Sequence, residues 1–278
     1  MAGEKTEKAG RGVNIIIISA CVILITVGII SVKYIADTES ACLENEEESR
    51  EIQEAYVSIN SPEVKTEEAV VFSFAAPENE MDEQETEQIQ FPVSVDFEGL
   101  QEVNSCVIGW IYSEGMVISY PVVIGTDNLY YLSHSVRGTE SAYGTVFADS
   151  GNSPSFSDPN TILYAHRMND GSMFGTVTEY KKQEYYDEHP VMWLATLSQN
   201  YRVDIYSCYC TASDSEAYTL RFSDVDSYAD WLAETVEKSV IETDIVPNIT
   251  SHVLTLSTCS YEFNGARTVV HGILMPVQ

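Results

Sequence analysis

A chain of 278 residues has room for one large domain or two small ones. Its net charge of −29, from 14 basic and 43 acidic residues, argues against nucleic-acid binding, because a phosphate backbone requires a basic face. An apolar fraction of 44% with 17 tyrosines is ample for a packed core, and six scattered cysteines in a chain of this size do not suggest a disulfide scaffold.

The first informative stretch is Val13 to Val32, twenty residues without a charge. At helical rise that length matches the hydrocarbon core of a bilayer, so a spanning helix is expected over 13–32. Lys5, Lys8 and Arg11 precede it and acidic sequence follows Lys33. The positive-inside rule then places residues 1–12 in the cytoplasm and the rest outside, on a single-pass plasma-membrane protein. The length of the run, and the lack of a small-x-small cleavage site before the first charge, favour an uncleaved anchor over a signal peptide. From Asp37 to Gln90 there are 17 acidic residues against two basic ones, Arg50 and Lys65. Such a composition buries little and repels itself, so residues 33–90 read as an extracellular stalk.

The texture changes near Phe91. Val95 to Val107 reads as a leading helix with Phe97, Leu100 and Val103 on one side. Short apolar runs with turn punctuation follow at Val107–Tyr112, Met116–Ile118, Tyr120–Ile124, Tyr143–Ala148, Thr161–Ala165, Met192–Leu197 and Tyr201–Tyr209. Many short strands at close spacing predict an antiparallel barrel or sandwich over 91–278. Ser227 to Val240 is the exception: Tyr228, Trp231, Leu232, Thr235 and Val236 share one helical face.

The chemistry points to the last strands. Val253–Leu256 runs as a buried strand into Cys259; a polar loop containing Asn264 and Gly265 follows, and Arg267 opens a second strand through Leu274. If the two pair as a hairpin, the thiol and the fixed positive charge lie together at one mouth of the sheet, a setting that biases a thiol toward thiolate. Of the five histidines, His166 ends the run Thr161–Ala165 where a polar loop begins, which matches Cys259 in position. His271 lies inside a strand and is expected to be packed or solvent-facing; His134, His189 and His252 offer no partner. Cys208 and Cys210 share one strand face, but without a second pair they are read as small apolar residues rather than zinc ligands.

Thr255-Leu256-Ser257-Thr258-Cys259 followed by Arg267 resembles the sortase signature, in which T-L-x-T-C ends one strand and an arginine begins the next. Leu163 to Phe174 around His166 is similar to the histidine segment of class B sortases. So is Tyr120-Pro121-Val122-Val123 with Asp127 to Leu132, and the helix at 227–240 is similar to the class B insertion. Ala165 departs from the class, which more often has glycine before the histidine. The resemblance implies an eight-stranded β-barrel with an N-terminal helix and an inserted helix before the cysteine strand. It implies a cysteine transpeptidase of the Gram-positive cell surface. No cluster of carboxylates with calcium-loop spacing is evident and the cysteine pair lacks partners, so neither metal nor cofactor is expected. Cys259 would attack the threonine carbonyl of an N-P-x-T-like sorting motif, His166 would serve as acid and base, and Arg267 would hold the oxyanion or the substrate backbone. Asn128, Leu132 and Ser257 match groove positions of the class. The implied partners are surface proteins carrying a C-terminal sorting motif and an amine of peptidoglycan or its lipid-linked precursor, with the plasma membrane engaged through residues 13–32.

Two other classes share these residues. A cysteine endopeptidase would use the same trio and give the acyl group to water. A non-catalytic, stalked surface-binding domain would leave Cys259 inert.

Overall fold

The computed structural model describes residues 2–60, 90–115 and 118–277, with side chains described from Ile23 onward. Met116 and Val117 of one expected strand, and 61–89 of the expected stalk, lie outside the described residues. The chain divides into two compact units, Met1–Arg50 and Glu51–Gln278.

Helix α1 (Ala2–Tyr56) contains the stretch read as a membrane anchor. That expectation is corrected. Among the described residues, no helix is long and apolar enough to cross a membrane. The side chains of 13–22 lie outside the description, and the described apolar run, Ile23 to Val32, gives way to Lys33, Asp37 and Glu39. Ten residues rise only about 15 Å, half of a hydrocarbon core. A single-pass location is therefore not supported.

The second unit begins inside the segment read as a stalk. Ile52 is 1% exposed and packs with Phe91, Val93, Leu100 and Trp110, with Tyr56 and Val57 at the margin of the same cluster. Strand β1 (Val57–Ile59) then pairs antiparallel with β2 (Val93–Val95). Full burial of an isoleucine contributes about 2 kcal/mol, so the folded unit reaches back at least to Ile52 rather than starting at Phe91.

Helix α2 (Phe97–Val103) starts where the Asp96 carboxylate accepts from the Gly99 amide and stops at Asn104, a shorter span than the expected 95–107. Beyond it come β3 (Val107–Ser113), β4 (Ile118–Ile124), β5 (Val146–Ala148) and β6 (Asn160–Tyr164). A 3₁₀ turn (Thr176–Lys181), α3 (Gln183–Glu188), β7 (Val191–Thr196) and β8 (Asn200–Ala212) come next. The chain ends with α4 (Val225–Glu237), β9 (Val253–Cys259) and β10 (Ala266–Val277). Eight strands close into a barrel in the order β10-β8-β7-β3-β4-β5-β6-β9. Closure removes every strand edge.

The barrel is not wholly antiparallel. β4 runs parallel to β5, and β6 runs parallel to β9. Each parallel pair needs a long crossover, which the loop 125–145 and the whole β7–β8–α4 excursion supply. The second crossover matters for chemistry, since it aligns the carboxyl ends of β6 and β9.

Helix α4 carries the face read from the sequence. Asp224 and Ser227 cap each other's backbone at its start, and Tyr228, Trp231, Leu232 and Thr235 are buried, while Val236 is exposed. These side chains cover His271, which is fully buried with Trp231 edge-on at 5.7 Å. The hydrogen-bond directions around this ring are determined. Thr255 Oγ1 donates to Asn160 Oδ1 at 2.6 Å, so it accepts from His271 Nδ1 at 2.8 Å, and His271 Nε2 accepts from the Tyr209 hydroxyl at 3.1 Å. The imidazole is neutral, and burial pushes its pKa down to about 3. In the unfolded chain a histidine titrates near 6.5, so the stabilisation from the neutral ring is complete above that pH and is lost as pH falls toward 3. Between pH 6.5 and 5.5 this single group is expected to cost about 1 kcal/mol of stability. Urea unfolding at pH 7 and 5.5 checks this: the wild type should lose about 1 kcal/mol more than His271→Gln over the interval, and equal losses would remove His271 as the cause.

Candidate active site

The register of three strands assembles the candidate trio. β9 and β10 are antiparallel neighbours in which Cys259 faces Arg267 directly, a cross-strand spacing of about 5 Å between Cα atoms. β6 lies on the other side of β9, with Tyr164 level with Ser257. Beyond the ladder the two chains stay in step, because the Ala165 amide donates to the Ser257 carbonyl at 3.4 Å and the Thr258 hydroxyl donates to the Ala165 carbonyl at 2.9 Å. Continuing the register by two residues brings His166 level with Cys259. Period-two alternation then puts Tyr164 and His166 on the same side as Ser257 and Cys259. All three candidate groups are half-buried.

His166 is fixed by backbone. Its Nε2 lies 2.7 Å from the Leu132 carbonyl oxygen, which can only accept, so Nε2 carries a proton and Nδ1 is the nitrogen free to exchange one. The loop after it is built rather than loose. The Phe174 amide donates to the His166 carbonyl at 3.0 Å, the Met173 amide to the Tyr120 hydroxyl at 3.0 Å, and the Tyr143 hydroxyl to Asp170 at 2.8 Å. Buried Met173 accepts a φ of +52° to close this loop. Leu132 is held equally firmly. Gly144 has a φ of +63°, and a Cβ there would fall 2.4 Å from the Tyr131 carbonyl oxygen, so only glycine allows this approach of the two chain segments.

The three groove candidates lie around the same mouth, with their polar groups engaged. Asn128 Nδ2 donates to Asp149 at 2.8 Å while its carbonyl oxygen accepts from the Ser150 amide at 2.8 Å. Ser257 is buried and shares a 2.9 Å hydrogen bond with the Tyr218 hydroxyl. Leu132 offers its side chain to the core cluster beneath α2 and its carbonyl to His166.

Sequence reasoning missed three residues that join these positions. The Tyr164 hydroxyl donates to Asp149 at 3.0 Å, and its ring stacks on Tyr218 at 6.2 Å. A continuous floor therefore runs Asn128–Asp149–Tyr164–Tyr218–Ser257. Burial first, then the Asp149 carboxylate, holds the Tyr164 phenol well above its usual range, and burial likewise raises Tyr218, so both remain donors. Tyr218 belongs to a short turn between β8 and α4; in a chain with 17 tyrosines, nothing local distinguishes it.

The other strand thiols are poor nucleophiles. Cys208 is fully buried, which pushes its thiol up to about 12, and Cys210 is raised by burial and then by Glu262. Among the described residues, no group of three His, Cys, Asp or Glu side chains is placed to hold a metal ion.

A closed eight-stranded barrel with a thiol, an imidazole and a guanidinium gathered at one mouth is the arrangement of a sortase-type fold. The chain is 30% identical to sortase B of Listeria monocytogenes over 192 residues, 68% of this chain and 78% of that protein. It is 32% identical to sortase B of Staphylococcus aureus over 176 residues, 63% of this chain and 72% of that one. A solved Staphylococcus aureus sortase B–substrate complex superposes with a TM-score of 0.63 at 31% identity, covering 66% of this chain and 85% of that one. No protein-family model matches the chain. The chain belongs to the sortase B family.

Proposed function

We propose that this enzyme is a cysteine transpeptidase that cleaves an N-P-x-T-like sorting motif after threonine and joins the threonine to a peptidoglycan amine. The observation that carries this reading is the register that sets Cys259 opposite Arg267 with His166 level on the neighbouring strand. Cys259, as thiolate, adds to the threonine carbonyl, and the oxygen takes up the negative charge. Arg267 faces that oxygen or the adjoining substrate backbone with a donor fork. Collapse of the tetrahedral adduct breaks the C–N bond, and His166 protonates the leaving amine, leaving a thioester on Cys259. An incoming amine attacks the thioester and gives a proton back to His166, and Cys259 leaves as the thiolate, which restores the starting state. With Nε2 committed to Leu132, the proton moves through Nδ1.

Asn128, Leu132 and Ser257 line the motif-binding groove in this reading, with Tyr164 and Tyr218 between them. The partners are proteins bearing the motif and the amine of peptidoglycan or its lipid-linked precursor. Incubating the protein with an N-P-x-T peptide library, with and without an added amine, tests this by mass spectrometry. Amine-dependent ligation after threonine is expected. Hydrolysis with no ligation at any amine concentration would identify an endopeptidase instead, and no cleavage together with no preferential alkylation of Cys259 would identify an inert binding domain.

A further inference from the structure

Two contacts join the segment bearing His166 to the loop that follows Cys259, and no step above uses them. The guanidinium of Arg167, adjacent to His166, lies 4.6 Å from the centre of the Tyr261 ring. The ammonium of Lys181, at the end of the 3₁₀ turn after the histidine loop, is paired with one Glu262 oxygen. The other Glu262 oxygen accepts from the Ser260 hydroxyl, and Ser260 Oγ accepts from the Thr268 hydroxyl at 3.2 Å. Lys181 and Ser260 hold the Glu262 carboxyl down to about 2, so the pair stays ionised across the working pH range.

The loop needs such tethers. Its residues 261–265 are exposed, and its own closure consists of the Ser260 amide to the Ala266 carbonyl and the Ala266 amide to the Phe263 carbonyl. His166 and Cys259 end separate strands, so their spacing depends on what fixes the two loops relative to each other. We propose that Arg167–Tyr261 and Lys181–Glu262 form a two-point clamp that sets the distance between His166 and Cys259, making these four side chains positioning residues for acyl transfer. This rests on the transpeptidase reading given above. Half-exposed ion pairs contribute little to global stability, whereas small misplacements of reacting groups are costly in rate, so the clamp acts on turnover rather than on folding.

The test uses the full chain with Lys181→Glu, Glu262→Lys and the double exchange. Each single variant should lower kcat about tenfold with KM changed less than about twofold, and the exchange should recover kcat to within about threefold of wild type. Amide exchange of residues 260–265 should quicken in both single variants and slow again in the double. Unchanged loop exchange in both single variants, or a double variant that restores neither exchange nor kcat, overturns the clamp. Glu262→Gln, which keeps shape and loses charge, serves the same comparison if a charge reversal fails to fold. Wild-type turnover judges the transpeptidase reading separately, because loop exchange is measured without substrate.

Discussion

Cys259→Ala is expected to leave the barrel folded and to abolish peptide turnover. The residue sits half-buried at the end of β9, so removing one sulfur alters packing by about 1 kcal/mol or less. The chemical effect is of a different order. Without the thiolate no thioester forms, and loss of a nucleophile costs on the order of 10⁴-fold or more in turnover. Cys208 and Cys210 are poor replacements, since burial, joined at Cys210 by Glu262, raises both thiols, and they pair with Val270 and Thr268, which alternate to the face opposite Arg267. Mass spectrometry of the peptide mixture beside a thermal melt reads both quantities. Cleavage at more than trace level by well-folded Cys259→Ala would refute the mechanism.

Arg267→Lys separates charge from geometry. In the register, Arg267 lies opposite Cys259, where any cation would influence the thiol. A guanidinium offers donors in a fixed planar fork, whereas lysine carries a mobile point charge. The fork is already oriented, because Arg267 Nη1 donates to the Ala266 carbonyl at 3.0 Å. If Arg267 acts at the oxyanion or grips the substrate backbone, lysine should be nearly as poor as alanine, with turnover down about a hundredfold or more. The rate at which a small neutral alkylator labels Cys259 should meanwhile be largely preserved. Parallel loss of alkylation and turnover would mean that Arg267 works through the thiolate instead.

Much of this enzyme is legible in its sequence because the signals are local. The T-L-S-T-C segment and Arg267 lie within one hairpin, whose pairing follows from two apolar strands and a short polar loop, so the thiol–guanidinium pair needed no tertiary knowledge. The α4 face follows from helical period alone. The eight-stranded barrel was reachable through the family resemblance, whereas strand texture by itself left barrel and sandwich open and gave no hint that β6 runs parallel to β9. Period also misled. A twenty-residue uncharged run predicts a membrane helix by length, yet among the described residues none is long and apolar enough to span. Acidic composition likewise predicted a stalk through residue 90, while Ile52 is packed in the core. Composition averages over a segment, but burial is decided one side chain at a time.

The sequence by itself singled out Cys259 as the candidate nucleophile, together with its arginine neighbour and the histidine that ends a strand, since each rests on residue type at a strand terminus. Only the tertiary structure decided that His166 is level with Cys259, that Leu132 holds its Nε2, and that Asp149, Tyr164 and Tyr218 connect Asn128 to Ser257. Those contacts join positions tens of residues apart through barrel closure and a long crossover. No periodicity within a strand or helix encodes them, because they exist only once the strands have paired.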